Sequence, residues 1–166
     1  MTGKRLRWFS TAILLLGLAA PALADPTADA KAVGDAFAKA MAAGDVPAVL
    51  ALYRDDATVI WPGRGEEANG KAAIEKVVRA ALGSTPKDFT LVQRSNEARA
   101  LGSDYIVNVG RWDQTFTTPR GRRVTQDVRT TEVLQKTDGQ WRYLVDHASV
   151  GLPTAAPPRR MRHHGG

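Results

Sequence analysis

The side chains best suited to chemistry lie on two adjacent segments near the C-terminal end of the sequence. His147 is the one histidine that precedes the last few residues, and Asp127 and Arg129 lie two positions apart in the segment before it. A histidine beside a carboxylate can act as a general acid or base, and an arginine can hold an oxyanion or a carboxylate. Together they would form a site for proton transfer.

Whether these side chains meet depends on the register of a predicted hairpin. The segments on either side of Asp138-Gly139 alternate in polarity as strands do, and Asp-Gly is a strong hairpin signal. A two-residue turn there would pair Lys136 with Trp141. It would also place Glu132 opposite Val145 among apolar side chains, where burying an unpaired carboxylate is costly.

We therefore predict a three-residue loop, Thr137–Gly139, which shifts the pairing by one residue and directs Glu132 outward. In this register Arg129 lies opposite His147 and Asp127 lies diagonal to it, within reach of its side chain. The sequence predicts that His147 acts as the acid or base, oriented by Asp127, while Arg129 binds the ligand. The alternative is an internal hydrogen-bond network that only closes the edge of the sheet.

A second set of side chains could line a pocket for an apolar or aromatic ligand. They are mostly aromatic, and packing in an ordinary core would explain them equally well. The candidates for ligand binding, besides Arg129, are Thr131, Trp61, Trp112, Phe37, Met41, Tyr53 and Tyr143. The sequence contains no metal-ligand spacing, no glycine-rich phosphate loop and no nucleophile motif, so we expect neither a metal site nor a cofactor.

Helical patterns precede strand patterns along the chain. Apolar periodicity and end signals predict three helices, and polarity alternation predicts a short strand and then a meander. The predicted helices are Thr27–Ala43, a short one capped by Asp45, and Gly70–Leu82 capped by Asn69; the predicted strands are Ala57–Trp61, Asp88–Asn96, Asp104–Thr117, Arg122–Lys136 and Gln140–Val150. This order indicates an α+β domain in which three helices pack on one face of a mostly antiparallel sheet.

The two ends of the chain differ from its body. Residues 1–24 combine a basic start, an apolar run and Ala22-Leu23-Ala24, which predicts a secretory signal cleaved after Ala24. Residues 153–166 are rich in proline and arginine without periodicity, which predicts a disordered basic tail. We expect residues 25–152 to form one domain, located in the periplasm or secreted and without a membrane anchor after cleavage.

The net charge of +6 comes from these ends. Of the 23 lysines and arginines, three lie in the signal segment and three in the tail, so the body carries 17 against 17 acidic residues. A nearly neutral body without a basic face argues against nucleic-acid binding. The absence of cysteine fits an oxidising compartment and excludes disulfides, so an ordinary core must stabilise the domain.

Several motifs resemble the nuclear transport factor 2-like superfamily, particularly its small bacterial members that are SnoaL-like or ketosteroid isomerase-like. They are Gly44–Val59 with its Gly-Asp and Asp-Asp-Ala-Thr elements, Gly70–Ile74, Val128–Thr131, Asp138–Arg142 and His147–Val150. The resemblance covers roughly residues 29–153. It implies a cone in which a curved sheet and helices enclose a ligand pocket, commonly in a homodimer.

The same resemblance argues against steroid isomerisation. Ketosteroid isomerases use a tyrosine on the first helix, an aspartate base after the first strand and a carboxylic acid near the end of the sheet. The matching positions here are Phe37, Trp61 and a place near Thr131. None of these side chains can abstract a proton from carbon.

Three functions remain open. The first is an exported domain that binds a small apolar or carboxylate-bearing molecule without a reaction. The second is a cofactor-independent isomerase, dehydratase or cyclase that uses His147 with Asp127 and Arg129. The third is an interaction module that dimerises through the outer face of its sheet.

Overall fold

The computed structural model describes residues 25–62 and 67–151. Over these ranges the chain forms three helices and six strands, and the predicted order of helices before a strand meander is confirmed. The elements are α1 (Pro26–Ala43), α2 (Val46–Ala51), β1 (Tyr53–Ile60), β2 (Glu67–Asn69), α3 (Lys71–Ser84), β3 (Thr90–Leu101), β4 (Tyr105–Thr117), β5 (Arg123–Thr137) and β6 (Gln140–Val150). The segments 1–24 and 153–166, for which a signal and a tail are predicted, lie outside the described residues.

Capping residues determine where the first two helices begin and end. The Asp25 carboxylate accepts hydrogen bonds from the backbone N–H groups of Thr27 and Ala28 and so starts α1. Gly44 ends α1 with a φ of 66°, a left-handed conformation that glycine adopts without strain. Asp45 then caps α2 through the N–H of Ala48. The sequence predicts both Gly44 as the stop and Asp45 as the cap.

The third helix begins differently from the prediction. Asn69 is not its cap but the last residue of β2, a short strand that the sequence patterns do not reveal. It pairs with Thr58 of β1, and its side-chain oxygen accepts a hydrogen bond from the Thr58 hydroxyl over 2.7 Å. The helix starts after Gly70, which has a φ of 80°.

The six strands form one open sheet in the order β2-β1-β6-β5-β4-β3. Only β1 and β6 run parallel; the other neighbours are antiparallel. The three helices pack against one face, called the inner face here, and the core lies between them. The fully buried side chains include Val49, Tyr53, Val59, Ile74, Val78, Ile106, Leu134 and Tyr143.

The loop of the β5–β6 hairpin differs from the predicted one. Asp138 and Gly139 alone form the turn, with φ values of 53° and 76°, and Thr137 pairs with Gln140. Two successive left-handed residues give a turn whose twist matches that of the strands, which favours the two-residue loop. The predicted three-residue loop is therefore wrong, and Lys136 pairs with Trp141.

A bulge in β6 then changes the register a second time. Leu134 pairs with Tyr143 but Val133 pairs with Val145, so Leu144 is an extra residue in β6. A bulge of this kind moves every following side chain of its strand to the other face. Each residue of β6 beyond Leu144 therefore points to the face opposite to the one it would have in a hairpin without the bulge.

None of the helices in ranges 25–62 and 67–151 is long and apolar enough to cross a membrane.

Candidate active site

Two carboxyl groups lie side by side on the inner face of the sheet. Glu132 of β5 and Asp146 of β6 are direct partners in the antiparallel register. Their exposed fractions are 3% and 5%. Directly opposite side chains have Cβ atoms about 5 Å apart, so the two carboxyl groups are neighbours inside the domain.

The bulge at Leu144 creates this pair. With the two-residue turn but without the bulge, Glu132 would face Val145, and Asp146 would point to the outer face of the sheet. The extra residue turns Asp146 inward and brings it opposite Glu132. Bulges commonly redirect side chains near functional sites in this way.

Two donors hold the carboxylate of Asp146. The Tyr53 hydroxyl donates to Oδ2 over 2.6 Å, and Trp61 Nε1 donates to the same oxygen over 2.8 Å. Burial raises the pKa of the Tyr53 hydroxyl well above its ordinary value, so Tyr53 remains a donor at any physiological pH. Within the described ranges no hydrogen bond reaches Oδ1, which leaves that oxygen for a ligand.

Glu132 is held by one amide. Asn108 of β4 pairs with Glu132 across the sheet, and its Nδ2 donates to Oε2 over 2.7 Å. Asn108 is fully buried. Asn108, Glu132 and Asp146 therefore form a polar row that crosses three neighbouring strands beneath the helices.

The pKa of Glu132 rises from 4.5 to about 7. Burial is the main cause because it disfavours the charged form, and the negative charge of Asp146 adds to it. The hydrogen bond from Asn108 acts in the opposite direction but does not cancel these effects. Near neutral pH, Glu132 therefore exists in both its protonated and its charged form.

Burial also raises the pKa of Asp146. The donors Tyr53 and Trp61, and to a lesser extent the charge of His147, favour its carboxylate and limit the rise. Because two hydrogen bonds stabilise the charged form of Asp146 and one amide serves Glu132, Asp146 loses its proton first. The site thus combines a carboxylate with a neighbouring carboxylic acid.

A cavity of about 160 Å³ opens above this pair. Its walls come from α1, the end of α3, the segments that follow β1 and α3, and the strands β3, β4, β5 and β6. The lining side chains include Phe37, Met41, Trp61, Phe89, Trp112 and Tyr143, and the polar ones among them are Thr85, Gln114, Thr130, Glu132 and Asp146. No lysine, arginine or histidine of the described ranges is among the lining residues, so the cavity is apolar with a single acidic end.

The structure separates the predicted catalytic residues from this cavity. His147, Asp127, Arg129 and Thr131 are exposed and lie on the outer face of the sheet. His147 pairs with Thr131 rather than with Arg129, and Asp127 forms an ion pair with Arg111 over 2.9 Å. His147, Asp127 and Arg129 do share one face, but it is the outer one, because β5 directs its even-numbered side chains toward the helices; their prediction as the polar groups of the pocket is therefore wrong.

Most of the predicted pocket residues do face the cavity. Phe37, Met41, Trp61, Trp112 and Tyr143 line it. Of the other two candidates, Thr131 lies on the outer face, and Tyr53 is buried and reaches the site through its bond to Asp146. The cavity therefore has the aromatic wall that the sequence predicts, but its polar groups are different ones.

Sequence reasoning missed Glu132, Asp146 and Asn108. One signal for Glu132 was present. It occupies the position between Thr130 and Leu134 in an alternating series of inward side chains that starts at Val128, so it shares their face in any regular strand. Asp146 carried no comparable signal because the bulge decides its direction. No group of three or more histidine, cysteine or acidic residues within 25–62 and 67–151 could hold a metal ion.

A family model for SnoaL-like domains matches residues 30–153. The chain belongs to the SnoaL-like family. The fold of this SnoaL-like domain is that of the nuclear transport factor 2-like superfamily, in agreement with the solved structures that resemble it. A comparison with curated proteins finds no match.

Three solved structures illustrate the range of relatives. A candidate calcium/calmodulin-dependent protein kinase II association domain from Xanthomonas campestris is 26% identical, with a TM-score of 0.65 over 74% of this chain and 85% of its own. A ketosteroid isomerase-like protein from Erwinia carotovora is 24% identical, with a TM-score of 0.65 over 78% and 98%. A candidate scytalone dehydratase from Novosphingobium aromaticivorans is 13% identical, with a TM-score of 0.68 over 80% and 88%.

Proposed function

We propose that this SnoaL-like domain is a cofactor-independent enzyme of the isomerase or lyase type, and that Glu132 and Asp146 transfer protons to and from a small uncharged ligand. The observation that carries the proposal is the buried carboxyl pair at the acidic end of an apolar cavity. Pairs of titratable groups whose environments give them different protonation states supply an acid and a base at one pH.

The hydrogen bonds assign the two roles. Asp146, with donors from Tyr53 and Trp61 on Oδ2, is the carboxylate and acts as the base through Oδ1. Glu132, with a pKa of about 7, retains its proton in half of the molecules at that pH and acts as the acid. An acid and a base work best when their pKa values lie near the working pH, which suits a reaction near neutrality.

The charge of the cavity restricts the ligand. The expectation of a carboxylate-bearing ligand depended on Arg129, which lies on the outer face. A ligand carboxylate beside Glu132 and Asp146 would meet negative charge without a compensating cation among the lining residues of ranges 25–62 and 67–151. We therefore limit the proposal to uncharged, mainly apolar ligands.

The exchange of carbon-bound protons for deuterium tests this function without knowledge of the natural substrate. Cyclohexanone in D₂O serves as the probe, because a base must remove its α proton while an acid supports the carbonyl oxygen. We expect the protein to accelerate the exchange measured by ¹H NMR, and Asp146→Asn and Glu132→Gln each to reduce the acceleration about 100-fold or more. Glu97→Gln on β3, an exposed site, is the matched control and retains the full rate.

A domain that binds a ligand without turning it over is the second candidate. It is favoured by the two hydrogen bonds that fix Asp146, since they would equally serve a structural carboxylate. If the wild type and Asp146→Asn exchange protons at the same rate and the protein still binds an aromatic probe, the binding domain is favoured over the enzyme.

Export and dimerisation belong to the proposal as well. Cleavage after Ala24 would leave Asp25 as the first residue, so the cap of α1 would be retained in the mature protein.

The outer face of the sheet carries exposed apolar side chains, among them Tyr105 and Val109, which a second copy of the chain would cover. A homodimer formed through this face would leave the cavity open on the opposite side of the sheet.

A further inference from the structure

We propose that Phe37 limits the ligand of this cavity to a single six-membered ring, and that removing its phenyl group makes the site accept two fused rings. The inference deepens the proposed function and rests on it, since it assumes that the cavity is the ligand site. It assigns a role in size selection to one residue of α1.

The phenyl ring of Phe37 lies among three aromatic side chains from three strands or strand ends. Its centroid is 5.9 Å from Trp61, 6.5 Å from Trp112 and 6.3 Å from Tyr143. All three contacts are edge-to-face, with interplanar angles between 74° and 85°. Each such contact is favourable, so the three together stabilise the ring in this position.

The remaining space fits one ring. The cavity measures about 160 Å³. A cavity of about 150 Å³ lined by apolar side chains is known to accommodate benzene. Replacing Phe37 by alanine would remove a phenyl group from the wall and add a space the size of a second ring, provided that the neighbouring side chains do not collapse into it.

Phe37 is the ring in this group that can change without disturbing the carboxyl pair. Trp61 donates a hydrogen bond to Asp146, and Tyr143 packs on Tyr53 at a centroid distance of 5.1 Å. Trp112 is buried in β4. Phe37 has no polar atom and comes from the helix that faces the sheet, so its size can vary independently of the proton-transfer groups.

Calorimetric titration of the purified protein with phenol and 2-naphthol tests the inference. The hydroxyl group of either probe can donate to Asp146, so the two differ mainly in their number of rings. We expect the wild type to prefer phenol, and Phe37→Ala to prefer 2-naphthol by about ten- to hundred-fold, the range expected for burying one additional ring. Phe116→Ala on β4, which lies outside the lining, makes the same chemical change and leaves the preference as in the wild type.

Phe37→Leu guards against a folding defect in the alanine variant. It retains an apolar side chain but loses the ring, and a shift of preference toward 2-naphthol, smaller than that of the alanine variant, supports the role of ring volume. If wild type and variants bind both probes with an unchanged ratio, the size-limiting role is refuted and the carboxyl pair is unaffected. If none of them binds either probe, the ligand cavity itself is refuted, and the proposed function falls with it.

Discussion

Replacing Glu132 by glutamine should change how the stability of the domain depends on pH. The side chain is 3% exposed, and its pKa rises from 4.5 to about 7 on folding. Between these values the folded state binds more protons than the unfolded state, so the free energy of unfolding falls as the pH rises. The contribution of Glu132 to the stability of the domain is complete below pH 4.5 and is lost as the pH passes through 7.

The size of the effect follows from the shift. A difference of about 2.5 pKa units corresponds to about 3 kcal/mol of stability, and most of it is lost between pH 5 and pH 8. Asp146 contributes in the same direction because its pKa is also raised. The exposed Asp55 and Asp56 and the half-buried Asp88 have lowered pKa values. Their contribution to stability has the opposite sign and is lost on acidification through those low values, outside this window.

Glutamine retains an oxygen that can accept the hydrogen bond from Asn108 but cannot ionise. We therefore expect the difference in free energy of unfolding between Glu132→Gln and the wild type to shift in favour of the variant by about 2–3 kcal/mol from pH 5 to pH 8. Urea unfolding followed by circular dichroism at four pH values measures this difference, and an unchanged denaturant slope shows that the same surface unfolds.

Glu97→Gln provides the control, because the same chemical change at an exposed position of β3 should give a difference that does not vary with pH. The reasoning is refuted if the Glu132→Gln difference is also constant with pH, or if the wild type becomes more stable from pH 5 to pH 8. A ¹³C NMR titration of the Glu132 carboxyl carbon reports its midpoint independently.

Three further predictions concern the turn, the outer face and the N-terminus. Gly139→Ala should lower the free energy of unfolding by about 1–2 kcal/mol, because φ is 76° at this position. Gly83→Ala in α3, which has open space around it, should instead raise that free energy by up to about 1 kcal/mol. Thermal unfolding of both variants checks the opposite signs. Val109→Glu on the outer face should convert a dimer to a monomer in light scattering, and a wild type that already has the mass of one chain would contradict the homodimer. Mass spectrometry of the exported protein should find Asp25 as its first residue, and a retained segment 1–24 would contradict cleavage.

Local signals were sufficient for most of the fold. The caps Asp25 and Asp45, the stop at Gly44 and the apolar stripes determine the first helices, since they act over a few residues that neighbour each other in the chain. The alternating segments likewise indicate the long strands. Short β2 escaped prediction because three residues carry too little pattern to distinguish a strand from a turn.

The candidate site could be predicted only in part, and the hairpin shows why. The amino-acid sequence by itself determined that a turn forms at Asp138-Gly139 and that aromatic side chains such as Phe37 and Trp61 are available for a pocket. It did not determine which polar side chains join them. Glu132 is not buried as an unpaired charge, because the amide of Asn108 and the neighbouring carboxyl group make burial of its protonated form tolerable.

Only the tertiary structure decided the direction of each polar side chain on the hairpin. Neighbouring side chains of a strand point to opposite faces, so the single extra residue Leu144 is enough to move Asp146 inward and His147 outward. Its position depends on how β6 pairs with β1 on one side and β5 on the other. The contacts with β1 join segments about 90 residues apart, and no local pattern in the sequence records them.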